Sequence, residues 1–329
     1  MDMIYTDAGH VEIGYLQRCN LDMELGSSIL SSARNDFTIT MSIDNLPAEL
    51  RTGALVYEVG SEYGGIVNGI GANTATNKAT VYGTTWRGML SQKVIIPPNG
   101  KAYYQARGEA NAVLSDLIEK EFDGLIIADG FITDITVNRD FRYTNLLEGI
   151  EKMLADQSAR LDIKTAYVDN QIKIYVSAVP VNDFTSDIEL NNDYGIALDA
   201  KKIKSGVNHV ICLGKGELTD RTVIHLYKLA NGQITMDSTN AIKGKDERTI
   251  VYDYTSAETE EDLIEGGKKK FDENCDEESL AMTISEKVEI GDIAGARERV
   301  TGIYMAKPVT QKILKGYIDN VKIDYKVGD

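Results

Sequence analysis

Asp36-Phe37-Thr38-Ile39-Thr40-Met41-Ser42-Ile43 alternates polar and apolar residues without a break. Side chains on a strand point to opposite faces in turn, so this octet predicts a strand that sets Phe37, Ile39, Met41 and Ile43 against a core. Outward from it the same character continues. Leu55-Val56-Tyr57-Glu58-Val59, the segment 63–70 and Lys78-Ala79-Thr80-Val81-Tyr82-Gly83 read as further strands, with Gly and Asn in the gaps. Residues 1–98 are therefore expected to form a mostly β domain of short strands, the spacing of a small barrel or sandwich.

Pro97-Pro98-Asn99-Gly100 stops the strand before it and changes the pattern. Ala106, Ala110, Val113, Leu114, Leu117 and Ile118 then recur at helical spacing, and Gly124 is the expected stop. A second helix is predicted over 145–159, with Thr144 as N-cap and Leu146, Leu147, Ile150, Met153 and Leu154 on its buried side. Strands over 161–164 and 167–176, placed around an Asp169-Asn170 turn, complete a small α+β unit across residues 99–200. From residue 201 to 329 the chain reads as β again, with strands at 209–214, 221–227, 249–254, 280–290, 299–305, 311–314 and 317–325. Turns are expected at Gly291-Asp292, Pro308 and Asp319-Asn320. One helix at about 257–275 interrupts this third part. Between Ser256 and Ser279 the chain carries ten acidic residues against three lysines; Leu263, Ile264, Gly267 and Phe271 form the packed side of the helix, and the rest reads as a solvated face.

The charge balance narrows the function. The 329 residues hold 51 acidic and 35 basic side chains, a net charge of −16, which opposes phosphate recognition by Lys and Arg and argues against specific nucleic-acid binding. With 43% hydrophobic residues a core is available, and no stretch approaches the roughly 18 apolar residues of a membrane helix, so membrane insertion is not expected. The N-terminal residues show no secretory signal pattern. Cys19, Cys212 and Cys275 are odd in number, widely spaced and free of any C-x-x-C pair, as expected of thiols in a reducing compartment.

Catalytic chemistry is sparse. No Gly-x-Ser-x-Gly elbow occurs, and only His10, His209 and His225 are available as imidazole bases. His209 and Cys212 are three apart in a predicted strand and face opposite ways, which excludes them as a metal pair. Gly64-Gly65-Ile66-Val67-Asn68-Gly69-Ile70-Gly71 lacks the Gly-Lys-Ser/Thr ending of a phosphate loop and reads as hairpin turns. Gly214-Lys215-Gly216 reads as a strand-ending turn. The Asp- and Asn-rich fragments at 187–189 and 191–193 miss the spacing of a calcium loop. No catalytic, cofactor-binding or metal residue is assigned.

The order of segments carries a resemblance. Thr80-Val81-Tyr82-Gly83-Thr84-Thr85-Trp86-Arg87-Gly88-Met89-Leu90-Ser91-Gln92-Lys93-Val94-Ile95-Ile96-Pro97 resembles a block of the phage tail hub family. The helix at 106–122, the start Tyr143-Thr144-Asn145-Leu146-Leu147-Glu148-Gly149-Ile150 and the strand at 171–176 follow in the family's order. Lys204-Ser205-Gly206-Val207-Asn208-His209-Val210-Ile211-Cys212-Leu213-Gly214 resembles its return to the barrel, and Val288-Glu289-Ile290-Gly291-Asp292-Ile293 with Thr301-Gly302-Ile303 its closing pair. Physically, Gly83 is expected to let its strand turn, with Trp86 and Leu90 packed beneath it.

The resemblance implies an α+β, mainly β fold: two tube-like β-barrel domains, at 1–98 and 201–329, with a small α+β unit inserted at 99–200. It implies a central hub of a phage-type tail, or of a contractile injection particle such as a bacteriocin, that adapts a six-fold tube to a three-fold spike. The expected partners are two further copies in a homotrimer, the tail tube protein, a spike or tail-tip protein and other baseplate proteins. The expected location is the virion or phage-like particle, after synthesis in the bacterial cytoplasm. The rival reading is a tail-tip enzyme or glycan-binding module that uses an acidic residue pair.

Overall fold

The computed structural model describes residues 1–168, 171–185, 198–282, 288–297 and 304–328. The chain divides into two compact units. The first comprises Met1–Asp199 with Leu280–Asp329, and the second Ala200–Ser279.

The first unit opens with seven strands: β1 (Ile4–Thr6), β2 (Glu12–Tyr15), β3 (Asn20–Gly26), β4 (Asp36–Ser42), β5 (Leu55–Tyr57), β6 (Gly64–Asn73) and β7 (Lys78–Thr85). In β4 the alternation is realised: Phe37, Ile39 and Met41 are buried and their neighbours half-buried. A six-residue helix, α1 (Trp86–Ser91), follows directly, capped by the Thr85 hydroxyl accepting from Gly88 N. The inserted α+β part contains β8 (Val94–Ile95), β9 (Tyr104–Glu109), α2 (Ala110–Ile118), β10 (Ile126–Ala128), β11 (Thr136–Phe141), β12 (Thr144–Asn145), α3 (Leu146–Ala155), β13 (Ala159–Val168) and β14 (Gln171–Pro180). Its sheet runs β10-β14-β13, and α2 and α3 bury Leu114, Ile118, Leu147, Ile150 and Leu154 in one core with Ile163, Ile174 and Val176. Trp86, fully buried, carries that core on to Leu55 and Tyr57 of the large sheet.

Two strands, β15 (Leu198–Ile203) and β20 (Glu277–Met282), lie where the chain passes from one unit to the other. Within the second unit, β16 (His209–Leu213), β17 (Val223–Lys228), β18 (Ile234–Thr235) and β19 (Thr249–Asp253) form a sheet in the order β18-β17-β16-β19. One of its faces is covered by α4 (Glu260–Glu273), through Leu263 and Phe271 against Val210, Cys212 and Leu226. Thr259 and Asp262 cap α4 reciprocally, and Glu260, Glu261 and Asp262 in its first turn lie at the positive end of the helix dipole. The acidic residues of this helix thus serve its N-terminus and its exposed side.

The chain returns to the first unit with β21 (Ile293–Arg297), β22 (Tyr304–Tyr317) and β23 (Asn320–Val327). β22 pairs with β3 from Gln311 opposite Gly26 to Tyr317 opposite Asn20. The large sheet therefore reads β23-β22-β3-β4-β7-β6-β5-β1-β2, with β20 beyond β23, and both ends of the sequence supply it.

Several expectations change. The fold is mainly β, with 44% strand and 16% helix, but among the described residues no closed barrel forms: the large sheet ends at β2 without pairing back. The strands of 304–327 join those of 1–98 rather than β16 to β19, and the boundaries between the two compact units fall near 200 and 279. Ala106 is in a strand, because β9 pairs along its whole length with β11; α2 starts only at Ala110, after Glu109 accepts from Asn111 N and Ala112 N. The cap of α3 is Asn145 rather than Thr144. Pro308 lies inside β22.

The glycine-rich run is a strand, not turns. A Cβ at Gly64 would sit 2.8 Å from the Trp86 indole nitrogen, and one at Gly65 would sit 2.0 Å from the Thr84 carbonyl oxygen. Gly83 likewise stays in β7, where a Cβ would meet Phe37 Cζ at 2.0 Å. The Asp169-Asn170 turn, the fragments at 187–189 and 191–193, Thr301-Gly302-Ile303, and residues 283–287 and 299–303 of the strands expected at 280–290 and 299–305 lie outside the described residues.

Gly267 gives a test of packing against propensity. Alanine favours a helix over glycine by about 1 kcal/mol, yet a Cβ here would meet Cys212 Sγ at 2.4 Å and Leu226 Cδ1 at 2.7 Å. Overpacking costs about 1–3 kcal/mol, so Gly267→Ala is expected to destabilise the second unit in urea unfolding. A stabilised variant would show that α4 does not approach β16 this closely.

Candidate functional site

The charged side chains that the sequence gives no reason to bury are concentrated in the first unit. Arg87, in the first turn of α1 next to Trp86, is 97% withdrawn from solvent and divides its guanidinium among three acceptors. Nε donates to Glu62 Oε2 at 2.9 Å, Nη1 to Glu151 Oε1 at 3.1 Å and Nη2 to the Leu161 carbonyl at 3.4 Å. Glu62 stands in the loop before β6 and Glu151 on the buried side of α3. The second oxygen of Glu151 accepts from Ser27 Oγ at 3.0 Å, Ser28 N at 2.7 Å and Ser28 Oγ at 2.8 Å, just past β3. Lys312, buried in β22, pairs with Glu62 Oε1 at 3.2 Å and with Glu289. One continuous network therefore joins α1, α3, the ends of β3 and β13, and the late strand β22.

A second knot lies beside it. Arg160 of β13 donates to Asp292 at 2.7 Å and to Asp162 at 2.9 Å, and Asp292 also accepts from the backbone of Asn182 and Glu289. Over both knots lies a cavity of about 280 Å³, with Ile29, Leu30, Leu161, Ile290 and Ile293 in its walls and Arg87, Glu151 and Arg160 beneath.

The electrostatics follow from the count of charges. Burial pushes the Glu62 carboxyl up, but Arg87 and Lys312 outweigh it and hold the group below the usual carboxylate range. Burial would lower Lys312; Glu62 and Glu289 reverse this and raise it. Three carboxylates share two cations, and Glu289, nearest solvent, is the one whose pKa is raised, by burial and by the charge of Glu62. Glu151 is held by four donors, and Glu62 by the Arg87 guanidinium and the Lys312 ammonium, which suits a lock better than proton transfer.

The residues singled out in the sequence are placed apart from this network. His10 sits exposed in the β1–β2 turn at φ +65°. It lines a groove of about 770 Å³ with Glu12, Lys93, Glu121, Tyr167 and Lys173. There Glu12 accepts from the Tyr57 hydroxyl at 3.1 Å and Glu121 pairs with Lys93 at 3.2 Å. His209 and His225 come together in the second unit, with Nε2 of one 2.9 Å from Nδ1 of the other. Cys212 faces α4 while His209 faces the other way, as strand alternation requires. Cys19 is buried in the first unit, its thiol pushed up to about 11 by burial and by Asp319, and Cys275 is exposed. The ionic network itself was missed. Its only signal is a charge inside an apolar pattern: Arg87 between Trp86 and Leu90, Glu151 on the Leu147–Leu154 face, Lys312 beside Ile313 and Leu314.

No protein-family model matches the sequence. No curated protein matches it either. Solved structures do. The 43 kDa tail protein of prophage MuSo2 from Shewanella oneidensis superposes with a TM-score of 0.54 at 10% identity, covering 99% of this chain and 98% of its own. A tail protein from Neisseria meningitidis gives 0.51 at 10% identity, covering 100% of this chain and 96% of its own. The chain thus shares the fold of phage tail proteins over its whole length.

The network predicts two unequal substitutions. Removing one partner of a buried pair costs about 3–5 kcal/mol, so Glu62→Gln should lose about that much stability at pH 7 in urea unfolding. Because the folded pKa of Glu62 is lowered, its contribution is present above the unfolded carboxylate value of about 4.3 and is lost as the pH falls. Glu289 has the opposite sign: its contribution is present below the unfolded carboxylate value of about 4.3 and is lost as the pH rises through its raised folded value, so Glu289→Gln should cost less, and less at pH 7 than at about pH 4. Equal penalties for the two at pH 7 would refute this division.

Proposed function

We propose that this chain is a structural hub of a phage-type tail or contractile injection particle, a homotrimer that adapts a six-fold tube to a three-fold spike or tip. The observation that carries this reading is the fold shared from end to end with a prophage tail protein and a second tail protein. Edge chemistry supports it. β2 is the outer strand of the large sheet, and on it and just before it Val11, Ile13 and Tyr15 are 61%, 42% and 56% exposed. An edge strand without Lys or Pro and with an apolar row is one that a neighbour covers in an assembly. In a closed ring that neighbour is another copy or an adjoining tail protein. Tail tube, spike and other baseplate proteins are the partners of this reading, and the virion or phage-like particle is its location.

Sedimentation of the purified chain, alone and with its tube protein, tests the proposal. A trimer, or recruitment into tube-bound complexes, is expected. Ile13→Lys, at an exposed position, should leave the fold intact and weaken assembly at least tenfold, which corresponds to about 1.4 kcal/mol. A chain that stays monomeric and joins no tail protein, or one that cleaves a glycan, would overturn the reading.

A further inference from the structure

On the face of the second unit's sheet away from α4, antiparallel pairing sets Tyr227 beside His209 and His225 beside Ile211, while Thr249 and Val251 flank them from β19. His209 is nearly buried; its ring stacks on Tyr227 at 4.5 Å between centroids and lies 5.1 Å from the ring of His225, which is exposed. Both nitrogens of His209 are engaged. Nδ1 lies 2.8 Å from Glu247 Oε1 and 3.0 Å from Thr249 Oγ1, and Nε2 lies 2.9 Å from His225 Nδ1.

The positions of the protons follow. Thr249 Oγ1 donates to Glu247 at 3.2 Å, so toward His209 it offers a lone pair, and the carboxylate can only accept. Two acceptors on Nδ1 make that nitrogen the donor. In the neutral ring Nε2 is then an acceptor, and His225 must carry its own proton on Nδ1 to fill it. The outer nitrogen of His225, Nε2, is left as a lone pair. The chain of donors runs in one direction, from His225 through His209 to Glu247.

We propose that Glu247, His209 and His225 form a one-proton charge switch on this face. A proton arriving at His225 Nε2 makes an imidazolium whose Nδ1–H still donates to His209, now as a charge-assisted bond, and whose charge is matched through the relay by Glu247. No hydrogen bond breaks. A second proton has no place to go: the only lone pair of His209 is already filled, and two facing N–H groups on stacked cations would repel. The groups facing the pair are Glu247 and Thr249 from the β19 side and Tyr227 from β17. Arg248 meets His209 through its carbonyl, and the Arg221–Asp253 ion pair belongs to the next row of the sheet. The face therefore gains one positive charge on acidification with its side chains in place, and the switch is independent of the tail reading.

Long-range proton–nitrogen NMR of the imidazoles in the full ¹⁵N-labelled chain, from about pH 8 down to about pH 5, tests it. At the upper end both rings should show the Nδ1–H tautomer. On acidification His225 should take up a full proton while His209 remains neutral and keeps its tautomer. In His209→Phe, which retains an aromatic ring against Tyr227, His225 should lose its preference for the Nδ1–H tautomer, as its acceptor is gone. An Nε2–H tautomer at His209, protonation of His209 first or of both rings together, or a His225 tautomer unmoved in His209→Phe, would each overturn the proposal.

Discussion

The contact between Arg87 and its two glutamates is the constraint on which the first unit depends. Removing a guanidinium from water costs several kcal/mol, and only well-aligned carboxylates and carbonyls offset that loss. Arg87 finds them on segments separated by up to 89 residues, at Glu62 and Glu151, and Lys312 extends the set to the late strand β22. The network can close only when α1, α3, β3 and β22 are all in register. Apolar packing alone would tolerate small slips among these elements, whereas a buried charge with a missing partner would not. Specificity is a more fitting description of its role than stability.

This explains an arrangement that hydrophobic patterning leaves open. Trp86 and Arg87 are adjacent on a single helical turn, one filling the core that joins the large sheet to the α+β part of the same unit, the other fastening the same joint with charge. Gly64 and Gly65 permit the approach, since any side chain there would collide with Trp86 or with the β7 backbone. Three features of the sequence, a glycine run, a lone tryptophan and an arginine, are thus parts of one joint.

Local features were legible in the sequence. The alternation of 36–43, the buried face of 146–154 and the Leu263, Gly267 and Phe271 stripe all appear as read, because each reports periodicity within one element. Pairing across long distances was not legible. Nothing in 304–327 says that its strand partner is β3, and Gly64–Gly71 reads as turns until Trp86 is seen to occupy the missing side chain's space. The network was hidden for the same reason: Arg87 and Lys312 look like surface charges until the acids that neutralise them arrive from elsewhere. His209 and His225 were visible as candidates, but the carboxylate that orients them is 38 residues beyond His209.

The pairing of β22 with β3 also governs the order of events on the ribosome. Residues 20–26 emerge early, yet their partner at 304–317 is made only after the whole second unit has been synthesised. Until then β3 has one unfilled flank, and Glu62 waits for Lys312. The second unit, whose sheet and helix all come from Ala200–Ser279, has no such wait and can compact while the first is incomplete. Translation thus imposes a sequence in which the second unit is finished before the large sheet of the first, and the nascent chain carries an exposed β edge that holding chaperones are suited to shield.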